Sequence, residues 1–153
     1  MITPAEGDFR LDHEADTQKL GAAIARELKA GEAVCLSGPL GAGKSTLARG
    51  LIQTLAGEAI EVPSPTFTLV QSYETARLTV AHFDLYRLSG ANEVAELGLD
   101  EALDVGAAVI EWPEKLGHHV PHDRLDVVLE FNGEGRRARI RCHGAWEDRP
   151  LEL

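Results

Sequence analysis

The spacing of apolar residues predicts two helices on either side of a short buried strand in the first third of the chain. Across residues 16–28 apolar side chains recur every three or four positions, which predicts an amphipathic helix with Asp16 as its N-terminal cap. Residues 33–37 form an apolar run with no helical period, typical of a strand covered on both faces. Helical spacing returns at 47–55, and Gly57 marks the predicted end of that second helix.

A hairpin and a broken helical segment are predicted to follow. The β-branched and aromatic runs 66–73 and 77–86 are separated by E-T-A alone, and so short a link joins antiparallel strands. Residues 92–103 predict one or two short helices, interrupted at Gly98.

The last third of the chain predicts a second buried strand and a second hairpin. Residues 105–111 form another continuous apolar run, which ends in Glu111. Residues 125–131 and 136–142 flank the turn pair Asn132-Gly133 and predict a hairpin. Together these elements predict one mixed α/β domain over residues 1–153, with antiparallel additions to its sheet and a strand order that the pattern leaves open.

Composition and charge restrict the possible classes of function and leave the predicted fold unchanged. The chain has 153 residues, 44% of them hydrophobic and 26% charged, as in ordinary soluble globular proteins. It shows neither a secretory signal nor an apolar run of membrane-spanning length, so we expect a cytoplasmic protein without a membrane association. The net charge of −10 argues against unaided binding to nucleic acid. Cys35 and Cys142 are expected to be small buried hydrophobes rather than a disulfide.

The segment G-P-L-G-A-G-K-S-T, residues 38–46, matches the spacing G-x-x-x-x-G-K-[ST] of a phosphate-binding loop. Glycines let backbone N–H groups turn toward one concavity, and the next helix adds unpaired N–H groups and its positive dipole end. In such a loop Lys44 brings charge to the β and γ phosphates, and the Ser45 hydroxyl reaches Mg²⁺. The alternative is a glycine-rich turn that caps an ordinary helix, and the flanking strand and helix favour phosphate binding.

Two acids compete for the role that nucleotide hydrolysis requires beside the metal. Glu111 ends a buried run, and open α/β sheets place ligands at the carboxyl ends of their strands. Asp84, in H-F-D-L-Y-R-L, lies in a half-polar strand, where an aspartate is more often exposed or locally bonded. The pattern favours Glu111 and does not decide between the two.

Two further polar segments are weaker candidates. Thr66 lies in V-P-S-P-T-F, an extended loop that fits either a switch sensing the γ-phosphate or a rigid surface connection. His118, His119 and His122 are interpreted as a solvated cluster in a loop, because a metal site needs a fixed frame and further ligands.

The chain resembles the bacterial TsaE family, also called YjeE, through four motifs in this order: G-P-L-G-A-G-K-S-T, S-P-T-F-T-L-V, H-F-D-L-Y-R-L and I-E-W-P-E. The likeness runs from the D-T-Q-K-L-G segment to the R-R-A-R strand, and four ordered motifs are far more specific than one loop. It implies a P-loop NTPase-like three-layer α/β fold with a mixed sheet that includes antiparallel strands.

The resemblance also implies a function. The family's members are small ATPases of the tRNA threonylcarbamoyladenosine pathway that work with TsaD and TsaB, and their hydrolysis supports turnover of that complex. ATP and Mg²⁺ are therefore the expected ligands, and TsaD-like and TsaB-like proteins the expected partners. Contact with tRNA only through those partners is compatible with the acidic charge.

Individual roles follow from the same resemblance. Ser45 and Asp84 would hold Mg²⁺, and Glu111 would serve the metal or the attacking water. Thr66 would lie near the γ-phosphate. The remaining residues expected at the nucleotide are the phosphate-binding residues Gly41, Ala42, Gly43, Lys44, Ser45 and Thr46, together with Thr17 and Arg136.

Pro39 departs from the family pattern, which usually has an acid after the first glycine of the loop. A proline removes one N–H group and fixes φ at about −65°. The phosphate-facing amides come mainly from later loop residues, so we expect binding to survive with a stiffer loop mouth.

Alternative functions compete with the ATPase. A small-metabolite kinase would use the same loop, but the chain has no long insertion for the usual arginine-bearing lid. A nucleotide-gated binding module would use ATP to order the loop that contains Pro63 and Pro65, with incidental hydrolysis. A Ras-like GTPase is disfavoured because the chain contains no N-K-x-D sequence.

Overall fold

The computed structural model describes residues 2–153. Its strands are β1 (Ile2–Pro4), β2 (Gly7–Leu11), β3 (Ala33–Ser37), β4 (Val70–Glu74), β5 (Thr79–Asp84), β6 (Ala107–Glu111), β7 (Arg124–Asn132), β8 (Gly135–His143) and β9 (Pro150–Glu152). Its α-helices are α1 (Glu14–Glu27), α2 (Lys44–Ala56), α3 (Val94–Leu97) and α4 (Leu99–Val105), and short 3-10 segments occupy Ala91–Glu93, Pro113–His119 and Gly144–Trp146.

Seven strands form one mixed sheet in the order β2-β8-β7-β3-β6-β5-β4. The strands from β7 to β5 are parallel to one another, whereas the outer pairs β7–β8, β2–β8 and β4–β5 are antiparallel. Strands β1 and β9 form a separate antiparallel pair. The parallel centre gathers the carboxyl ends of β3, β5 and β6 at one edge, and its register places Glu111 opposite both Leu36 and Asp84.

Helices cover both faces of the sheet. Helices α1 and α2 pack on one face through apolar side chains that include Leu20, Ile24, Leu47 and Leu51. On the opposite face a second buried cluster joins Val94, Leu99 and Leu116 to the strands. The predicted three-layer α/β fold with a mixed sheet is therefore confirmed.

Glycines let α1 and α2 cross in close contact, and this contact sets where α1 meets the loop before α2. A Cβ atom added to Gly21 would lie 2.3 Å from the carbonyl oxygen of Leu47, and one added to Gly50 would lie 2.6 Å from that of Gln18. Neither helix backbone could approach the other so closely with a larger residue at these positions.

Replacing Gly21 by alanine is expected to destabilise the protein by about 1–3 kcal/mol, because the added methyl group forces the two helices apart. Urea unfolding followed by circular dichroism measures the loss. Gly90→Ala is the matched control, since a Cβ atom there has no neighbour within 4 Å. Equal stability of the two variants would contradict the close crossing.

Several predicted boundaries differ from the structure. Helix α1 begins at Glu14 with His13 as its N-cap, and Asp16 instead accepts a hydrogen bond from the His13 N–H at 3.0 Å. The strand predicted from residue 66 begins at Val70, because Leu69 has a positive φ of 71° and the loop turns there. The strand predicted from residue 105 begins at Ala107, because Val105 still belongs to α4.

The second hairpin turns one residue later than predicted. Asn132 pairs with Gly135, so the loop consists of Gly133 and Glu134, and Gly133 has a φ of 62° that glycine tolerates. The short strands β1, β2 and β9 were not predicted, because three to five partly exposed residues carry too weak an alternation.

Both cysteines are free, as expected, and Cys35 is buried as predicted, whereas Cys142 near the end of β8 is only partly buried. Burial raises the pKa of the Cys35 thiol to about 12 and that of Cys142 to about 11, so neither is a reactive thiolate at neutral pH. None of the helices within residues 2–153 is long and apolar enough to cross a membrane.

Candidate nucleotide-binding site

The glycine loop joins β3 to α2 in the conformation that its sequence predicts. Gly38, Gly41 and Gly43 have φ values of 136°, 82° and 109°, which side chains rarely permit. Gly43 is the N-cap of α2, so the free N–H groups of the helix start at the loop. At Gly38 a Cβ atom would lie 2.3 Å from the carbonyl oxygen of Leu129, so only glycine fits between the loop and β7.

Lys44 is held beside this loop as a buried cation, with only 5% of its surface exposed. Its Nζ donates to the carbonyl oxygens of Gly38 and Pro39, the latter at 3.0 Å, and lies 4.3 Å from the centroid of the Trp112 ring. Burial lowers the pKa of Lys44, while the carboxylates of Glu111, Glu114 and Asp84 act in the opposite direction. The amine is therefore poorly solvated, a condition that favours a further anionic partner.

Glu111 lies at the carboxyl end of β6 and is 2% exposed. The Ser45 hydroxyl donates to its Oε1 at 3.2 Å and lies 3.4 Å from its Oε2. His82 Nε2 lies 2.7 Å from Oε2. The first turn of α2 and the end of β6 are thus joined through one hydroxyl and one carboxylate.

Asp84 occupies the equivalent place on β5, directly beside Glu111 in the strand register. Its Oδ2 accepts hydrogen bonds from Thr66 Oγ1 at 3.1 Å and from Ser64 Oγ at 3.4 Å. Its Oδ1 accepts one from the Tyr86 N–H at 3.0 Å. The S-P-T-F loop is therefore tied to the acid through two hydroxyls, and both candidate acids lie at the same edge of the sheet.

The oxygen ligands at this edge fit a magnesium ion that arrives with a nucleotide. Ser45, Asp84 and Glu111 offer one hydroxyl and two carboxylates, the donors that Mg²⁺ prefers. Within residues 2–153 no cluster of three or more His, Cys, Asp or Glu side chains could hold a metal unaided. Mg²⁺ usually takes one or two carboxylates and completes its shell with phosphate oxygens and water.

A cavity of about 270 Å³ adjoins the loop, between the start of α1 and β8. Thr17, Gly41, Gly43, Thr46 and Arg136 all line it. A Cβ atom added to Gly43 would lie 3.5 Å from the Thr17 methyl group, an ordinary van der Waals contact, so Thr17 of α1 lies close beside the loop. The structure thus brings Thr17 and Arg136, which were expected only from the family resemblance, to the glycine loop.

Arg136 supports the loop from β8. Its guanidinium donates to the Gly41 carbonyl oxygen at 3.1 and 3.3 Å and lies 4.6 Å from the centroid of the Phe131 ring. Replacing Arg136 by alanine is expected to weaken ATP binding about tenfold, because two hydrogen bonds from a charged group that hold the loop are lost.

Isothermal titration with ATP and Mg²⁺ measures this effect. Arg139→Ala removes the same charge from the same strand on its opposite face, and we expect unchanged affinity. An equal loss in both variants would show that net charge, rather than the Gly41 contact, is responsible.

Other polar residues lie apart from this site or were not predicted. His118, His119 and His122 are exposed, in agreement with a solvated cluster. The contacts of Ser64 and His82 with the two acids were not predicted from the sequence. Their positions in the sequence could have pointed to these contacts. Ser64 lies two residues before Thr66 in the same loop, and His82 lies two residues before Asp84 on the same face of its strand.

The fold and the geometry of the candidate site together define a P-loop NTPase-like protein. Residues 11–139 match the family model for Threonylcarbamoyl adenosine biosynthesis protein TsaE. The chain belongs to the TsaE family.

Individual relatives agree with this assignment. The chain is 41% identical to the tRNA threonylcarbamoyladenosine biosynthesis protein TsaE of Rickettsia felis, over 83% of this chain and 74% of the relative. It is 37% identical to the protein of the same name from Treponema pallidum, over 80% of this chain and 90% of the relative. The crystal structure of Bacillus subtilis YdiB superposes with a TM-score of 0.77 at 27% identity, covering 94% of this chain and 88% of YdiB.

Proposed function

We propose that residues 1–153 act as one cytoplasmic P-loop ATPase domain that binds ATP with Mg²⁺ and hydrolyses it slowly. In this proposal hydrolysis supports turnover of a TsaB-like and TsaD-like complex that adds a threonylcarbamoyl group to the adenosine next to the anticodon of tRNA. The observation that carries the ATPase proposal is the contact of Ser45, the loop hydroxyl, with Glu111 at 3.2 Å. Membership of the TsaE family supports the pathway.

Each side chain at the site has a part in this proposal. The amides of residues 41–46 and the ammonium of Lys44 bind the phosphates, and Ser45 and Asp84 hold the metal. Mg²⁺, when bound, neutralises charge that develops on the phosphate oxygens. Glu111 holds the metal or orients the water that attacks the γ-phosphorus as the bond to the ADP oxygen breaks.

The acidic net charge supports a role in which this chain acts on tRNA only through its partners. The net charge of −10 would repel a phosphate backbone, so the partners rather than this chain are proposed to bind the tRNA.

The rate of ADP formation from ATP, measured with and without Mg²⁺, tests the ATPase proposal. We expect slow hydrolysis that stops when EDTA is added and resumes with excess Mg²⁺. Absence of ATP binding at millimolar concentrations would contradict the proposal.

A second candidate, a nucleotide-gated binding module, is favoured by the bonds of Ser64 and Thr66 to Asp84. A ligand that binds the Asp84 carboxylate would compete with its hydrogen bonds to Ser64 and Thr66 and so move the S-P-T-F loop. The moved loop would present a changed surface to a partner. A variant that binds ATP without hydrolysing it separates the two functions, because only a binding module would retain full partner activity.

A further inference from the structure

We propose that His82 is a positioning residue, which holds the Glu111 carboxylate in the orientation that meets Ser45. The predicted effect on the rate of hydrolysis rests on the proposed ATPase function, whereas the contact between His82 and Glu111 does not. His82 lies in β5, two residues before Asp84 on the same face of the strand. No role was assigned to it from the sequence.

The contact between His82 and Glu111 is short and shielded from water. His82 is 1% exposed and Glu111 is 2% exposed, and Nε2 lies 2.7 Å from Oε2. A buried carboxylate needs hydrogen-bond donors to offset the loss of hydration. A hydrogen bond that His82 donates to the Glu111 carboxylate requires a proton on Nε2.

The surroundings of His82 argue against a purely structural histidine. Its neighbours on this face of the sheet include Val80 and Val109, which are fully buried. Its Nδ1 is buried and has no hydrogen-bond partner among the described residues. An apolar side chain would fill the space without that unpaired nitrogen, so the contact with Glu111 is what the imidazole adds.

The position of Ser45 makes this contact important for hydrolysis. Among the described residues, Ser45 is the second side chain that forms a hydrogen bond with the Glu111 carboxylate, and it is also a proposed metal ligand. A hydroxyl that ligates a metal through an oxygen lone pair keeps its O–H and can still donate to Glu111. His82 and Ser45 would then fix the direction of the carboxylate from two sides.

Two variants of His82 separate positioning from packing. His82→Leu fills the space without a donor, and we expect the rate constant for hydrolysis to fall about tenfold with KM for ATP nearly unchanged. His82→Gln keeps an N–H donor near the position of Nε2, and we expect it to recover most of the lost rate. Thermal unfolding of both variants shows whether they are folded.

A double-mutant cycle with Glu111→Gln tests whether His82 acts through Glu111. We expect His82→Leu to have almost no further effect on hydrolysis in the Glu111→Gln background, since coupled residues are not additive. The same tenfold loss in both backgrounds would overturn the proposal, as would a folded His82→Gln variant that recovers nothing.

Nitrogen NMR of the histidine side chains provides a test that needs no ATPase activity. The chain has six histidines, and the signals lost in His82→Gln identify residue 82. We expect its proton on Nε2, and an Nδ1–H tautomer with a bare Nε2 would overturn the proposal. If the wild-type protein hydrolysed no ATP, the proposed function would fail while this measurement still decided the His82 contact.

Discussion

Glu111→Gln is expected to remove most ATP hydrolysis and to leave ATP bound. Glutamine has the shape of glutamate, so it preserves the packing at the end of β6, but it has no charge for a metal and cannot accept the proton of the attacking water. Loss of a catalytic acid or base lowers rates by about 10²–10⁴-fold. Single-turnover ADP formation measures the chemical step, and isothermal titration measures the affinity for ATP.

Glu114→Gln is the matched control for this prediction. Glu114 belongs to the same E-W-P-E segment and is exposed, so its replacement makes the same charge change outside the contact with Ser45. We expect hydrolysis to stay near wild type and the affinity to change little, since Glu114 is exposed and acts on Lys44 only through its charge. Normal hydrolysis by Glu111→Gln would show that the role proposed for this carboxylate is wrong.

Lys44→Ala has the second large expected effect, a loss of nucleotide affinity of about 10- to 100-fold. The ammonium is already beside the loop, bonded to the carbonyl oxygens of Gly38 and Pro39, and a phosphate would gain a charged donor there. Hydrogen bonds to charged groups contribute about 1.5–3 kcal/mol, which corresponds to the predicted range. Lys29→Ala removes an exposed lysine and serves as the control.

The lowered pKa of Lys44 adds a pH dependence to this prediction. Because burial stabilises the neutral amine, the free protein loses this charge at a lower pH than an ordinary lysine with a pKa of 10.5 does. The affinity for ATP should therefore fall as the pH rises through that lowered pKa, and Lys44→Ala should lack this part of the decrease. A lysine whose pKa is lowered by folding also costs stability at neutral pH, so its removal should not unfold the protein.

Local sequence patterns predicted the centre of the fold well. Strand β3 has the predicted bounds Ala33–Ser37, and Gly57 ends α2 as predicted, because a buried strand, a glycine loop and an amphipathic helix each have a strong local signature. The N-cap of helix α1 was placed three residues late, at Asp16 instead of His13, since histidine is an uncommon N-cap.

The arrangement of the acids could not be predicted from local patterns. Glu111 and Asp84 are 27 positions apart in the chain (111 minus 84), and they meet only because β5 and β6 pair in register. Strand order depends on which long-range contacts form, and the pattern left it open. The structure therefore places both acids side by side at one edge of the sheet, where the sequence pattern had treated them as alternatives. Which of them binds the metal stays a prediction.

The contacts of Ser64 and His82 escaped prediction for a similar reason. Ser64 was part of a proline-stiffened loop whose direction the sequence does not specify, and it bonds Asp84 across 20 residues of chain. His82 begins the H-F-D-L-Y-R-L motif, but its partner, Glu111, lies on another strand. The two-residue spacing places His82 and Asp84 on one face, yet only the register with β6 adds Glu111.

Reconstituted tRNA modification tests the central claim most directly. The assay combines this protein with TsaB-like and TsaD-like proteins, tRNA and a supply of the threonylcarbamoyl donor, and it counts modified tRNA per complex while ATP and each protein are omitted in turn. We predict many rounds with the wild-type chain, and a stop after about one round when the chain is absent or carries Glu111→Gln. Multiple-turnover modification that continues unchanged without this chain would contradict the account.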